Sequence, residues 1–253
     1  WLNNQKIIML EPRRLAARTI AERMAALLRE EVGETVGYRI RFDTKVGKNT
    51  RIEVVTEGIL TRMLHTDNAL EGVGVVIFDE FHERSIFADV ALALCREAQQ
   101  ILRPDLRIAV MSATLNLPEL AQLLQAPIVQ CSGRQFPVEI RYTDECDQFM
   151  IAELTAQVVL KAARETQGDL LVFLPGEGEI KKCEKILLRE NNGCVVYGLY
   201  GMLAHGKQRT AILPDLQGRR KIILATSIAE TSLTIEGVSV VVDCGFGRTQ
   251  RFD

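Results

Sequence analysis

Two adjacent carboxylates and a nearby histidine are the residues best suited to chemistry in this 253-residue chain. Asp79 and Glu80 directly follow the apolar run Val75–Phe78, and His82 comes two positions after Glu80. A buried strand that ends in Asp-Glu places both carboxylates at the carboxyl edge of a sheet, where open α/β sheets bind ligands. One carboxylate can hold Mg²⁺ through water, and the next can orient or deprotonate an attacking water. The alternative is a strand that stops at a polar loop.

Two segments place anion-binding groups directly after predicted strands. Arg13 and Arg14 follow Lys6–Leu10 and open a helix. Arginines in a first helical turn oppose the helix dipole, so they suit an external anion, although a solvated basic face would have the same composition. Thr56 follows Arg51–Val55 and offers a hydroxyl to a phosphate, where the alternative is a plain helix N-cap.

Hydroxyl-bearing segments follow two other predicted strands. Ser112 and Thr114 come after Arg107–Met111, where they could hydrogen-bond the loop that carries the two carboxylates. The segment Ala225–Gly237 follows Lys221–Leu224 and is rich in serine and threonine, including Thr226 and Thr234. Such a loop packs poorly and binds phosphate well, so it is the stronger of these two signals.

The composition is that of an ordinary globular protein, with 47% hydrophobic and 25% charged residues. No apolar run approaches the roughly 18 residues that a membrane span needs, so we expect no membrane association. The net charge of −2 requires any nucleic-acid site to be a local basic track. The six cysteines form no CxxC pair, which argues against a zinc site and favours a reducing cytoplasm.

Predicted strands alternate with predicted helices along the chain, which indicates a doubly wound α/β fold. Several strands are near-continuous runs of Val, Ile and Leu, typical of parallel strands that are covered on both faces. The predicted strands are Lys6–Leu10, Arg51–Val55, Gly74–Phe78, Arg107–Met111, Val138–Tyr142, Asp169–Leu174, Gly193–Tyr197, Lys221–Ala225 and Val238–Asp243. The predicted helices are Leu15–Glu30, Asp89–Leu102, Ile151–Glu165 and Glu177–Asn191.

The pattern breaks near Ser132–Pro137, and a second α/β series begins after it. We therefore predict two domains, residues 1–134 and 135–253, with similar sheets and a cleft between them.

The order of these segments resembles the DEAH-box group of superfamily 2 helicases, and in particular the bacterial HrpB type. The run Leu10–Arg18 resembles motif Ia, Thr56–Leu60 motif Ib and Asp79–His82 motif II, with Phe81 where the group usually has alanine. The remaining segments resemble motif III (Ser112–Thr114), motif IV (Phe173–Gly176) and motif V (Ala225–Gly237). The resemblance covers nearly the whole chain, and it implies two RecA-like domains, each a mostly parallel sheet flanked by helices.

The resemblance also implies ATP hydrolysis coupled to movement on single-stranded or structured RNA. By that likeness Asp79 and Glu80 hold Mg²⁺, Glu80 activates the hydrolytic water, and His82 works with them. The implied roles of the other residues are coupling between nucleotide and second domain (Ser112, Thr114), nucleotide contact (Arg23, Thr234, Glu236) and RNA contact (Arg13, Arg14, Thr56, Thr226). Glu236 stands where the group more often has Asp, and Ser227 where it more often has Asn.

Two parts of the helicase pattern have no counterpart in the 253 residues. No G-x-x-x-x-G-K-[ST] run is present, and no arginine-rich motif VI follows motif V. We expect these parts to lie before residue 1 and after residue 253, so that the first domain is truncated at its N-terminus and the second at its C-terminus. We expect the chain alone to hydrolyse ATP weakly or not at all. The alternatives are a catalytically silent RNA-binding scaffold and a DNA-directed translocase.

Overall fold

A computed structural model describes residues 2–113, 117–131, 133, 136–143, 147–190, 193–229 and 235–248. The chain divides into two compact units, residues 1–135 and residues 136–253. Each unit is a mostly parallel sheet with helices, so the α/β fold predicted from the strand runs is confirmed. None of the helices in the described part of the chain is long and apolar enough to cross a membrane.

The first unit contains a six-stranded sheet in the order β3-β2-β4-β1-β5-β6. All its neighbouring strands run parallel except β2 and β3, which form an antiparallel hairpin. Its strands are β1 (Lys6–Glu11), β2 (Val36–Ile40), β3 (Asp43–Lys45), β4 (Ile52–Thr56), β5 (Val73–Phe78) and β6 (Arg107–Val110). Its helices are α1 (Arg14–Leu28), α2 (Glu57–Thr66), α3 (Ile86–Ile101) and α4 (Leu117–Leu124).

The central strands of this sheet are buried on both faces. Ile8 and Val76 are fully buried and belong to a core that α2 and α3 cover on one side. On the other side, α1 covers a second core with its alanines, among them Ala17 and Ala21. The apolar runs that predicted these strands are therefore continuous because neither face meets water.

The second unit contains a four-stranded, wholly parallel sheet in the order β10-β7-β9-β8. Its strands are β7 (Asp169–Phe173), β8 (Val195–Leu199), β9 (Lys221–Ala225) and β10 (Val238–Asp243). Its helices are α5 (Ile151–Glu165), α6 (Glu177–Arg189) and α7 (His205–Ile212). Leu170, Val172, Ile222 and Leu224 are fully buried at the centre of its core.

Two features of the sheets differ from the sequence predictions. The prediction of a strand at Val138–Tyr142 is wrong. The structure assigns no strand to these residues, and all their side chains are exposed. Conversely, the hairpin of β2 and β3 was not predicted. A side chain at Gly37 in β2 would clash with the carbonyl oxygen of Lys45, so the close packing of β3 requires glycine there.

Candidate functional site

The loop after β5 is held between its two neighbouring strand ends at the carboxyl edge of the first sheet. The backbone N–H of Asp79 donates to the Leu10 carbonyl at 3.1 Å. On the other side, Met111 N–H donates to the Phe78 carbonyl at 2.8 Å, and Phe81 N–H donates to the Met111 carbonyl at 3.1 Å. The backbone thereby fixes the predicted carboxylate pair to the ends of both β1 and β6.

Glu80 occupies a strained position in this loop. Its backbone is left-handed (φ 50°, ψ 33°), and it precedes the short 3-10 helix Phe81–Glu83. Non-glycine residues adopt this conformation at an energetic cost and are concentrated at functional sites. Burial, and then the charge of Asp79, raises the pKa of Glu80, which makes this carboxylate a better base than a solvated one.

His82 joins Glu80 to the segment after β6. Its Nε2 lies 3.3 Å from Oε2 of Glu80, and its Nδ1 accepts a hydrogen bond from the Ala113 backbone N–H at 3.4 Å. Because Nδ1 is the acceptor, the proton of the neutral imidazole is on Nε2 and points at the Glu80 carboxylate. The structure therefore brings together three predicted site residues, Asp79, Glu80 and His82, with the segment that holds Ser112.

Thr114, the other residue predicted to couple this loop to the rest of the molecule, lies outside the described residues. Ser112 is half-buried between Met111 and Ala113, whose backbones contact the loop as described above. Its position agrees with a role beside the carboxylate loop, which stays a prediction.

A third carboxyl group, missed from the sequence, lies beside Asp79. Glu11 ends β1 and is 0% exposed, and no described donor reaches either of its oxygens. Burial raises its pKa to about 9, with further contributions from a hydrogen bond to Asp79 and from the charges of Asp79, Glu80 and Glu83. Burial beside three other carboxyl groups therefore favours the neutral, protonated form of Glu11. The available signal was an acidic residue at the end of an apolar run, as for Asp79 itself.

The predicted RNA contacts of the first unit lie on the same sheet edge. Arg13 is the N-cap residue of α1, and its Nε lies 3.5 Å from Oε2 of Glu83. Arg14 is exposed in the first turn, which contains no acidic residue. Thr56 ends β4 and precedes α2, is nearly buried and makes no side-chain cap hydrogen bond, which argues against the simple N-cap alternative.

A second polar contact crosses this edge and was also missed. Ser85 N-caps α3 by accepting from the Ala88 N–H at 3.0 Å, and its hydroxyl donates to Oε1 of Glu57 at 2.6 Å. Burial raises the pKa of Glu57. Together with the pair of Arg13 and Glu83, this contact ties the loops after β1 and β4 to the segment that follows the carboxylate loop. Long-range pairs of this kind leave no periodic signal in a sequence.

The turn between β2 and β3 adds an exposed aromatic residue at the far end of the same edge. Phe42 is 88% exposed with a left-handed backbone (φ 69°), and the Arg41 guanidinium carbon lies 4.7 Å from its ring centre. An aromatic ring with an adjacent arginine is the combination that stacks on single-stranded bases. The signal in the sequence is an Arg-Phe pair in a turn after a strand.

Of the residues predicted to contact the nucleotide, Arg23 does not lie at this edge. Arg23 is exposed in α1, nine residues beyond Arg14, which corresponds to about 14 Å along the helix axis. In the second unit Thr226 follows β9 at the carboxyl edge, where its N–H donates to the Leu199 carbonyl at 3.1 Å. Glu236 is exposed in the turn that precedes β10, hence at the opposite edge of that sheet. Thr234 lies outside the described residues.

The carboxylate loop suits Mg²⁺ that is bound partly by protein and partly by water and substrate. No group of three or more His, Cys, Asp or Glu side chains that could enclose a metal ion occurs in the described part of the chain. Magnesium is usually bound through one or two carboxylates, water and substrate phosphates rather than by a protein cage. Asp79 and Glu80 at an accessible strand end supply that donor set.

Two mostly parallel α/β units, the first with paired carboxylates at its carboxyl edge, are the arrangement expected of a superfamily 2 helicase core. Residues 2–123 match the family model described as DEAD/DEAH box helicase, and residues 150–251 match the one described as Helicase conserved C-terminal domain. The chain belongs to the DEAD/DEAH-box helicase family.

Relatives from Escherichia coli show the same likeness. The chain is 54% identical to the ATP-dependent RNA helicase HrpB over 99% of its length and 38% identical to the ATP-dependent RNA helicase HrpA over 96%. It resembles the crystal structure of E. coli HrpB with a TM-score of 0.90 and 53% identity, covering 99% of this chain and 32% of that one. The chain spans 31% of the HrpB sequence and 19% of the HrpA sequence.

Proposed function

We propose that the chain is part of an ATP-dependent RNA helicase that couples ATP hydrolysis to movement on or unwinding of RNA. The observation that carries this proposal is the order of side chains along one sheet edge. Basic and hydroxyl-bearing residues follow β4 and β1, and the paired carboxylates follow the next strand, β5. These positions would place an anion-binding track and a hydrolytic site on neighbouring strand ends of one sheet.

On the hydrolytic side, Asp79 and Glu80 would hold Mg²⁺, whose charge would offset that developing on the transferred phosphoryl group. Glu80 orients the attacking water and accepts its proton, and its raised pKa suits that role. His82 holds the Glu80 carboxylate through Nε2, while the Ala113 backbone holds the imidazole through Nδ1. A movement of the carboxylate loop would thus be transmitted through His82 to the segment that contains Ser112 and Thr114.

On the RNA side, Arg13, Arg14 and Thr56 would contact backbone phosphates, with Thr226 doing so in the second unit. Such contacts position a strand without reading its sequence and give a salt-dependent affinity. Arg41 and Phe42 extend the track and would stack on an unpaired base. We propose that Arg23, Thr234 and Glu236 contact the nucleotide and that the two domains meet near residues 134 and 135. We also propose that the protein acts in the cytoplasm, where the free cysteines of the described residues would stay reduced.

The test is ATP turnover with and without single-stranded RNA, measured in this chain and in a chain extended at both ends. We expect the extended chain to hydrolyse ATP faster with RNA, and this chain to show little turnover because the 253 residues contain no phosphate-binding glycine-lysine loop. Glu80→Gln in the extended chain should lower turnover by at least a hundredfold while nucleotide binding persists.

Matched outcomes separate the alternatives. An extended chain that binds RNA and never hydrolyses ATP would support a silent scaffold. Stimulation by DNA as strong as by RNA would support a DNA-directed translocase. Full turnover by the Glu80→Gln variant would remove Glu80 from the chemistry.

A further inference from the structure

An ion pair joins the basic segment after β1 to the carboxylate loop after β5. Nε of Arg13 lies 3.5 Å from Oε2 of Glu83. Arg13 is the N-cap residue of α1, and Glu83 ends the short 3-10 helix that follows Glu80. The two residues are 70 positions apart in the chain, and they meet because β1 and β5 are neighbours in the sheet. The pair is therefore a direct link between a predicted RNA contact and the predicted hydrolytic loop.

Both members of this pair are accessible to a competing ligand. The Arg13 side chain is 27% exposed and the Glu83 side chain 18%. Their separation of 3.5 Å exceeds the about 2.7–2.9 Å of a tight charge-assisted hydrogen bond. A phosphate group offers an arginine two oxygens in the geometry of the guanidinium fork. An RNA phosphate at Arg13 would therefore compete with Glu83 for the guanidinium.

The position of Glu83 is connected to that of Glu80. The Glu83 N–H donates to the Glu80 carbonyl at 2.9 Å, and His82 between them lies 3.3 Å from the Glu80 carboxylate. Glu80 and Arg84, which flank the 3-10 helix, both have left-handed backbones, with φ of 50° and 48°. Strained backbone of this kind persists only where surrounding contacts impose it. Loss of the contact with Arg13 would therefore change the conformation of the carboxylate loop.

We infer that the Arg13–Glu83 pair transmits RNA binding to the carboxylate loop, with Glu83 as the positioning residue of this link. Without RNA, Glu83 holds Arg13, and the loop keeps the conformation seen in the structure. With an RNA phosphate on Arg13, Glu83 is released, and the loop adjusts around the nucleotide. By linkage, nucleotide changes RNA affinity by the same factor as RNA changes nucleotide affinity. This inference rests on the proposed function, because it takes Arg13 as a phosphate contact and the loop as part of the nucleotide site.

The test compares variants on both sides of the pair, in the chain extended at both ends. Glu83→Gln removes the carboxylate charge and keeps the side-chain length, and Arg13→Gln removes the guanidinium. Arg14→Gln is the matched control for Arg13, since Arg14 is the adjacent, exposed arginine in the first turn of α1. Glu97→Gln is the control for Glu83, because it removes an exposed negative charge from α3 of the same unit.

The measured quantity is the ratio of RNA affinities with and without a saturating non-hydrolysable ATP analogue and Mg²⁺, obtained by fluorescence anisotropy of a labelled single-stranded oligonucleotide. In the parent we expect nucleotide to change RNA affinity by about fivefold or more, as is typical of coupled sites. In Glu83→Gln, in Arg13→Gln and in the double variant, the two affinities should agree within about twofold, because the pair acts as one unit.

The control variants should behave differently. Arg14→Gln should weaken RNA binding equally in both states and retain the parental ratio. Glu97→Gln should also retain that ratio. Without nucleotide, Glu83→Gln should raise RNA affinity by about two- to fivefold, the range for removing a partly exposed ion pair that competes with phosphate. Glu97→Gln should not raise it, which separates the loss of this pair from a change of net charge.

Retention of the parental ratio in Glu83→Gln would overturn the inference and leave the proposed function intact. A ratio of one in the parent would overturn it too, as would equal losses of coupling in Arg13→Gln and Arg14→Gln. If Glu83→Gln does not fold, Arg13→Gln carries the same prediction, since a ratio is insensitive to its weaker RNA binding, and an unchanged ratio there would count against the inference. Failure of the parent to bind RNA would instead remove the proposed function, and the inference with it.

Discussion

At the residue scale, neighbouring acids in the first sheet behave differently because their surroundings differ. Glu53 and Glu11 are both buried, yet the bonds from Arg39 and Lys6 lower the pKa of Glu53 against the opposing effect of burial. In the described part of the chain no group donates a hydrogen bond to Glu11, and burial and the neighbouring Asp79 raise its pKa to about 9. Burial alone therefore does not decide the charge of a carboxyl; the partner that it meets does.

The raised pKa of Glu11 predicts how stability depends on pH. The folded chain retains the Glu11 proton up to about pH 9, whereas the unfolded chain releases it near 4.5. The stabilisation from this group is therefore complete below pH 4.5 and is lost progressively as the pH rises towards 9. Glu11→Gln should remove that slope and raise the unfolding free energy at pH 8 relative to the parent, as measured by urea denaturation between pH 5 and 9.

Glu53→Gln is the natural comparison for this measurement. Its lowered pKa gives a stabilisation that is present above the unfolded pKa and lost as the pH falls below it, so this variant should alter the acid limb instead. Identical pH profiles for the parent and the Glu11→Gln variant would mean that Glu11 is ionised in the folded chain.

At the element scale, α3 begins with a serine that serves two partners. The Ser85 hydroxyl caps the helix at the Ala88 N–H and donates to Glu57 on α2. Ser85→Ala should destabilise the first unit by about 1–2 kcal/mol, since it removes a cap and leaves the half-buried Glu57 without its donor. Thermal unfolding measures the loss, and Ser85→Thr, which retains the hydroxyl, should lose less than half as much.

In the second unit, a buried lysine secures the end of α7. Lys221 is 1% exposed, and its Nζ donates to the carbonyls of Ala211 at 3.2 Å and Leu213 at 2.9 Å, with Asp169 Oδ2 at 3.6 Å. Lys221→Met should cost about 3 kcal/mol of unfolding free energy, because it leaves two carbonyls without their donor and Asp169 without its nearby cation. The exposed Lys207 on the same helix provides the control, and Lys207→Met should change stability by less than about 0.5 kcal/mol.

At the scale of the whole molecule, the order of strands in the first sheet determines which functional side chains are neighbours. Following the first sheet from β2 to β6, the carboxyl edge presents Arg41 and Phe42, then Thr56, then the arginines of α1, and then the carboxylate loop. The chain order of these groups is different, since the β2 turn lies between Arg14 and Thr56 in sequence. The neighbourhood of the basic track and the acidic loop is therefore a property of strand pairing.

This arrangement predicts the salt dependence of RNA binding. If Arg14 contacts a phosphate, Arg14→Gln should reduce the slope of log affinity against log salt by about 0.7, the value for one phosphate of a single strand. Fluorescence anisotropy with a labelled oligonucleotide at several salt concentrations measures this slope. Lys161→Gln, which removes an exposed charge from α5, should leave the slope unchanged; a change of equal size there would show that only net charge matters.

The sequence was a good guide wherever one residue's environment follows from its immediate neighbours. The continuous apolar runs of β5 and β9 predicted buried parallel strands, and Asp79 was correctly expected at a strand end. The alternating apolar residues of Val138–Tyr142 led to a wrong prediction, because an alternating pattern forms a strand only where a neighbouring strand can pair with it. Contacts such as Arg13 with Glu83 could not be predicted, because they join residues 70 positions apart by the geometry of two loops.

The left-handed backbone of Glu80 has a consequence for how this family member tolerates change. Glycine would adopt φ 50° without strain, so a selection for thermal stability alone would favour Glu80→Gly. The same substitution would delete the carboxylate that we assign to water activation. Thermal stability therefore favours glycine at position 80, whereas ATP turnover requires glutamate. A library of variants screened only for heat resistance should replace Glu80 in its first rounds.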